Sequence, residues 1–399
     1  MKIGLVIYGS LDTLSGGYLY DRKLVDYLRA QGDAVEVISL PWRNYAAHLT
    51  DNLHFRLPAG LRTLVRQTTR PKRTEVRAPD RSPFDILIQD ELNHPSLIAA
   101  NTARHRYPVI SLVHHLRCSE LRPKWQNDFY RLVEKRYLNS VDGFIFNSET
   151  TQRVVRRLVE SSKPEIVAYP PTDRFGEGVT ENEILERAKI PELRILFLGN
   201  VIERKGLHTL LDALAVGRDN ISPYKLDVVG SLTIDPAYAN AIREKITANG
   251  LSTFIFLHGP LDNSPLKEKL RQAHVLVVPS SYEGFGIVYL EGMGFGLPAI
   301  GTTAGAAGEI IEDGKTGYLI EPNDAATLAA RLASLAQDRE LLTRLSVNAL
   351  QRYRVQPTWE QTAKNIREFL LSVTVNRGAV EQSPCGAGIA SSGKEPSSQ

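Results

Sequence analysis

The sequence predicts an α/β protein built of two doubly wound, Rossmann-like domains that face each other across a cleft. Three observations carry that expectation. Short apolar runs alternate with helical stretches along almost the whole chain, the pattern of a parallel sheet covered on both faces. The alternation is interrupted by Pro170-Pro-Thr-Asp-Arg-Phe-Gly-Glu-Gly178, a linker by composition, and restarts at Arg194. A chain of 399 residues has room for two domains of ordinary size.

The elements follow in order. Ile3 to Ile7 reads as a first strand, ending in a loop over Gly9 to Gly17 and then a helix from about Tyr18 to Ala30. Val35–Ser39, Ile86–Ile88, Val109–Val113, Gly143–Phe146 and Ile166–Ala168 complete the strands of the first half. The second half offers Arg194–Gly199, Lys225–Val229, Phe254–Leu257, Val275–Val278, Ala299–Ile300 and Gly317–Ile320. Residues 1–170 and 171–356 are therefore expected as two domains, with a helix at about 357–374. The Ser-, Gly- and Pro-rich end, 377–399, is expected to be disordered.

Composition narrows the class. Hydrophobic residues make up 42% and charged residues 23%, ordinary for a soluble globular protein. A net charge of +3 offers no global polycation, so nucleic acid is not an expected partner. The two cysteines, Cys118 and Cys385, lie far apart and imply neither a disulfide framework nor a zinc site. No run reaches the ~18–20 apolar residues that cross a bilayer, and the apolar start is too short for a signal peptide. The expectation is a cytoplasmic protein, with peripheral contact on the inner membrane face as an option.

Six stretches carry chemistry. In Ser281-Tyr-Glu-Gly-Phe-Gly-Ile-Val-Tyr-Leu-Glu291, two carboxylates bracket a Gly284-Phe285-Gly286 turn between a strand and a helix read from Ile287 to Gly296. Glu283 falls in the loop and Glu291 about two turns into the helix. The Phe285 and Gly286 amides face outward at the positive end of the helix dipole. Amides suit phosphate oxygens, and carboxylates suit hydroxyls. In Leu198-Gly-Asn-Val-Ile-Glu-Arg-Lys-Gly-Leu207, Arg204 and Lys205 place cations beside a helix start, fit for a diphosphate. An ordinary solvated Arg-Lys pair is the competing reading. His114 and His115 end a buried strand; a strand-end histidine points into the cleft, and His115 stays closer to a satisfied core residue. Being adjacent on a strand, they face opposite ways, so no joint metal site is expected.

Gly16-Gly17 would permit close approach of a ligand phosphate, although the dinucleotide fingerprint G-x-G-x-x-G is absent. Gly301-Thr-Thr-Ala-Gly-Ala-Ala-Gly-Glu309 reads equally well as a phosphate-binding loop or a flexible one. Arg56 to Arg77 holds seven basic residues against Glu75, with Leu57, Leu61, Leu64 and Val65 at helical spacing. That segment, 56–77, suits an anionic membrane surface or a phosphorylated acceptor; a solvated helix covering the sheet is the alternative.

Taken together these motifs resemble the family 4 glycosyltransferases, nucleotide-sugar-dependent retaining enzymes of the GT-B fold. The likeness is densest from Arg194 to about Asn323, where Lys205-Gly206, the Glu-x7-Glu pair Glu283 and Glu291, and Gly294-Phe-Gly-Leu-Pro298 occur in the family's order. The resemblance implies GT-B architecture, a first domain on the acceptor side, a nucleotide-sugar-binding second domain, and a final helix returning onto the first. It implies roles too. Lys205 would bind the donor diphosphate, Glu283 the transferred sugar, and Glu291 the ribose. The amides of Gly284, Phe285 and Gly286 would hold sugar or phosphate oxygens. His114 would reach the sugar from the opposite domain, and Gly17 would approach the diphosphate. The family often has Arg after the first glycine of the lysine motif; here Asn200 stands there, and Arg204 could supply the charge.

The expected reaction is retaining, metal-independent hexosyl transfer in carbohydrate biosynthesis, from a nucleoside-diphosphate sugar to a hydroxyl of a saccharide, lipid-linked saccharide or small metabolite. The donor is a substrate, and no cofactor or metal is implied. His114, Glu283 and Lys205 are the expected catalytic residues. A nucleotide-sugar epimerase, or a non-catalytic subunit that binds sugar nucleotides, is the alternative.

Overall fold

The computed structural model describes residues 1–13, 15–53, 83–102, 105–160, 162–171, 173–176, 178–221 and 223–382. The basic stretch 56–77 and residues 383–399 lie outside them.

Twelve strands form two six-stranded sheets. The first contains β1 (Lys2–Tyr8), β2 (Ala34–Leu40), β3 (Ile86–Asp90), β4 (Val109–Val113), β5 (Gly143–Phe146) and β6 (Glu165–Val167), in the order β2-β1-β3-β4-β5-β6. The second contains β7 (Leu193–Leu198), β8 (Tyr224–Val229), β9 (Ile255–Gly259), β10 (Val275–Val277), β11 (Ala299–Thr302) and β12 (Gly317–Ile320), in the order β12-β11-β10-β7-β8-β9. Every ladder is parallel. Together they make the two-sheet GT-B architecture.

The strands are continuous apolar runs because both faces are covered. Alternate residues serve opposite faces. Ile3, Leu5 and Ile7 of β1 pack with Leu24 and Leu28 of the helix Gly16–Ala30 and with Ala363, Ile366 and Leu370 of the last helix. Val6 and Tyr8 pack on the other side with Leu87, Val109, Val113 and Phe146. The last helix, Trp359–Gln382, thus lies on the first half, and Arg367 Nε donates to Asp33 Oδ2 there at 2.7 Å. It runs past residue 377, where a disordered tail was expected, because each added helical residue brings one more backbone hydrogen bond. Elsewhere the linker holds one short turn, Asp173–Phe175. Among the described residues no helix is long and apolar enough to cross a membrane.

The strand orders locate the site. In each sheet the order reverses once, between β1 and β3 in the first and between β7 and β10 in the second. Loops leaving the carboxyl ends of strands beside such a reversal diverge to opposite faces and open a crevice. Those loops carry Gly17, Asp90 and Glu91 in the first half, and Lys205 and Glu283 in the second.

Candidate functional site

Lys205 follows β7 in a single turn, Glu203–Lys205, closed by Gly206 at φ 69°. That glycine cannot be replaced freely, since a Cβ there would sit 2.1 Å from the Pro279 carbonyl oxygen. The aliphatic stem of Lys205 passes Gly199. Its Nζ donates to Glu283 Oε2 at 2.7 Å, and Ser280 Oγ donates to the same oxygen at 3.1 Å. Arg204 stands 3.9 Å from that oxygen and donates to the Tyr282 carbonyl at 2.7 Å. Asn200 instead accepts from the Ser231 amide, so Arg204 is the cation beside Lys205.

Electrostatics fix the charge states. Burial disfavours charge on Glu283, but Lys205 and Arg204 outweigh it and hold the carboxyl at about 2. Burial lowers Lys205, opposed by Glu283. The pair is an ion pair inside the protein.

The loop Gly301–Glu309 builds the frame behind Glu283. The Glu283 amide donates to Ala304 O at 3.2 Å, and its carbonyl accepts from the Ala306 amide at 2.8 Å. The glycines here permit backbone contact with Glu283 rather than loop mobility, because a Cβ on Gly305 would meet the Glu283 carbonyl oxygen at 2.1 Å. At the loop's end, Glu309 accepts from the Glu149 and Thr150 amides of the first half at 2.9 and 2.6 Å.

After Glu283 the chain turns through Gly286 at φ 92° into the helix Ile287–Met293. Among the described residues nothing accepts from the Phe285 and Gly286 amides, while the Phe285 ring is buried in the second-half core. Glu291 lies one turn into this helix, not two, because the helix is seven residues long and starts at Ile287. Its Oε1 accepts from Arg174 Nη1 at 2.9 Å, and Arg174 also reaches Asn263. Burial raises the Glu291 carboxyl against the pull of Arg174.

His114 enters from the first half, just beyond β4. Its Nε2 is 3.2 Å from Asp21 Oδ1, and its amide donates to Glu91 Oε2 at 3.1 Å. Burial opposes the imidazolium, but Asp21, with Asp90 and Glu91 behind it, raises it to about 9. Asp90 is pushed up to about 7 by burial and Asp21. Asp21, Asp90 and His114 bring one donor atom each within 4.8 Å; a protonated His114 gives this cluster a shared proton instead of a metal-ligating nitrogen. His115 points elsewhere, to Glu120 Oε1 at 3.1 Å.

The halves meet at Gly284. A Cβ there would lie 2.6 Å from the His114 carbonyl oxygen, and the Gly284 carbonyl accepts from Ser148 Oγ at 3.0 Å. Gly17 packs on the His114 ring, and Gly16 approaches Ile287 of the opposite half. The structure thus gathers Gly17, His114, Gly284, Phe285 and Gly286 at the contact of the halves, with Lys205, Arg204 and Glu283 adjoining and Glu291 one turn deeper. A cavity of about 1050 Å³ opens between the halves, with Arg204 and Ser281 on its wall. Lys205, Glu283, Glu291 and His114 do not line it; they are buried.

Sequence reading missed Asp21, Arg174 and the reach of Glu309. Asp21 did carry a signal, an acid within the apolar stripe formed by Tyr18, Leu24, Val25 and Leu28.

Two family models match. "Glycosyltransferase Family 4" matches residues 20–172, and "Glycosyl transferases group 1" matches 181–352. The phosphatidyl-myo-inositol mannosyltransferase of Mycobacterium leprae is 25% identical over 96% of this chain and 99% of its own. Other curated relatives match over roughly half to two thirds of their own length. Sucrose-phosphate synthase from Thermosynechococcus elongatus superimposes with a TM-score of 0.77 at 19% identity, covering 94% of this chain and 100% of that one. Anabaena HepE, in complex with UDP and glucose, gives 0.71 at 19% identity over 93% of this chain and all (100%) of its own. These structures speak for the fold, and the paired models, one on each half, speak for the family: the chain is a glycosyltransferase that belongs to family 4, with a group 1 domain as its second half.

Proposed function

We propose that this glycosyltransferase moves a hexosyl group from a nucleoside-diphosphate sugar to a hydroxyl acceptor, with retention and without a divalent ion. The observation that carries the reading is the buried Lys205–Glu283 pair beside the uncapped amides of Phe285 and Gly286, at the strand-order reversal of the second sheet. Breaking the anomeric bond builds negative charge on the diphosphate and positive charge on the ring. Lys205, Arg204 and the helix-start amides would meet the first, and losing one such fixed donor typically costs about 3–4 kcal/mol. Glu283 would take sugar hydroxyls, and Glu291 the ribose once Arg174 yields. His114, protonated and held by Asp21, would donate to the sugar from the other half.

Retention follows if the acceptor attacks the face the diphosphate leaves, with a donor phosphate oxygen taking the acceptor proton. The HepE complex with UDP and glucose supports a nucleoside-diphosphate donor, and closure of the halves around Gly284 supports exclusion of water. The test is transfer from a panel of sugar nucleotides in the presence of chelator, with the anomeric configuration of the product read by NMR. Product formed with the donor's configuration supports the reading. Inversion, or activity abolished by chelator and restored by a divalent ion, overturns it.

A further inference from the structure

The first-half wall of the cleft carries a second set of cations that the donor chemistry does not use. Trp42, Arg43, Tyr45, Glu120, Arg117 and Arg122 all line the cavity. Two of the three guanidiniums are already paired, Arg43 with Asp51 and Arg122 with Glu120. Arg117 is different. Its guanidinium packs against Tyr45 and Tyr130, 5.2 and 5.0 Å from the ring centroids, and makes no hydrogen bond among the described residues. Aromatic faces hold a guanidinium in place while leaving its in-plane donors open to an oxyanion.

The surrounding groups leave that charge uncompensated. Burial keeps His94 neutral, at about 3, and lowers His48 as well. Burial also pushes Glu91 far up and Glu134 to about 7, so these neighbours are largely protonated. Glu120 is ionised despite its burial, but His115 and Arg122 already share it. Beside this wall stands Trp42, its ring edge-on to Tyr8 and 64% exposed, a flat platform for the C–H face of a sugar or polyol ring.

The geometry points to a phosphate subsite centred on Arg117 and completed by the free edges of Arg43 and Arg122, which takes an acceptor bearing a phosphate ester on a ring polyol. The inference rests on the proposal that the first half is the acceptor side. The ester can be free or part of a lipid headgroup. An apolar stripe makes the second source concrete. Leu121 lines the cavity, and Trp125, Phe129 and Leu132 follow on one exposed face of the helix Lys124–Ser140.

The test is calorimetric titration of inorganic phosphate into the full chain, comparing wild type with Arg117→Gln, Arg117→Lys, Lys205→Ala and Arg331→Gln. Arg331 is the matched control, an arginine stacked 4.5 Å from the Tyr318 ring centroid, away from the cavity. The expected result is saturable binding that Arg117→Gln weakens by at least about tenfold, as for loss of a charge-assisted contact. Arg117→Lys should weaken it less, and keeps the charge should the glutamine variant fold poorly. Arg331→Gln should leave it unchanged. Binding that survives Arg117→Gln but vanishes in Lys205→Ala would put the anion on the donor side, overturning this inference and leaving the donor reading intact. Absence of saturable binding in wild type also overturns it, while nucleoside-diphosphate titration of the same protein reports on the donor reading separately. Flotation with vesicles of equal phosphatidylglycerol and phosphatidylcholine separates the sources. Flotation reduced by both Arg117→Gln and Trp125→Ser supports the subsite with a lipid headgroup in it. Phosphate binding at Arg117 without flotation supports it with a free ester.

Discussion

Asp21 Oδ1 lies 3.2 Å from His114 Nε2, and this one contact sets the charge of the group that the first half presents to the site. The imidazolium survives burial only because Asp21, Asp90 and Glu91 surround it, which raises it to about 9. A histidine raised above its ordinary 6.5 adds stability that is complete below that value and is lost as pH rises through about 9. Between those limits the melting temperature should fall with pH. Asp21→Asn should flatten that slope, remove stability on the order of 1–3 kcal/mol at neutral pH, and move the alkaline limb of the transfer rate toward lower pH. Melting curves and a pH–rate profile of both proteins check this, and parallel slopes would refute the assigned coupling.

Glu309 offers a different prediction, because it joins the halves without belonging to the chemistry. Its carboxylate accepts from the Glu149 and Thr150 amides, the first residues of the helix Glu149–Leu158. Capping of this kind contributes about 0.5–2 kcal/mol. Glu309→Ala should therefore speed hydrogen exchange at 149–158 by roughly tenfold, since about 1.4 kcal/mol is one decade. Exchange in the β7–β8 region should not change. Uniform acceleration across both halves would mean that Glu309 supports the fold as a whole instead of the contact.

These two contacts show where sequence reading stops. Buried parallel strands announce themselves as apolar runs, so β4, β5 and β12 were readable to the residue. Lys205, Glu283 and Gly286 were also readable, since a strand, a tight turn and a helix start leave local marks. Asp21 and His114 are separated by 93 positions, and only the strand order β2-β1-β3-β4 brings them together. Glu309 reaches Thr150 across 159 positions, so its loop read as small residues around an acid. Arg174 sat in a stretch that composition marked as linker, and its pairing with Glu291 has no local signature.

Two glycines should separate fold from closure. Gly206 adopts φ 69° with the Pro279 carbonyl where a Cβ would go, so Gly206→Ala should cost on the order of 1–3 kcal/mol of stability. Gly284 has an ordinary backbone, and its missing Cβ would strike the His114 carbonyl at 2.6 Å and the His115 Cβ at 2.9 Å. Gly284→Ala should push the halves apart with little change in melting temperature. Nucleoside-diphosphate affinity should hold while transfer falls by about tenfold or more. A Gly284→Ala protein with full transfer would show that the halves need not meet there.

The Lys205–Glu283 pair makes the sharpest prediction, because two readouts must move together. Glu283 sits at about 2, below its ordinary 4.5, through Lys205 and Arg204 overcoming burial. Its contribution to stability is present above 4.5 and lost as pH falls through about 2. Lys205→Met removes the closer cation, 2.7 Å away, and leaves Arg204 at 3.9 Å. The buried carboxyl should then titrate upward, so the acid loss of stability should begin at higher pH than in wild type. Transfer should fall about 10²–10³-fold, as for removal of a fixed donor to the leaving group. Glu283→Gln in the Lys205→Met background should recover stability, since the unpaired buried charge is gone, but not transfer. Recovery of both would assign the pair a structural role alone, and recovery of neither would mean that burial of Glu283 is not what the lysine offsets.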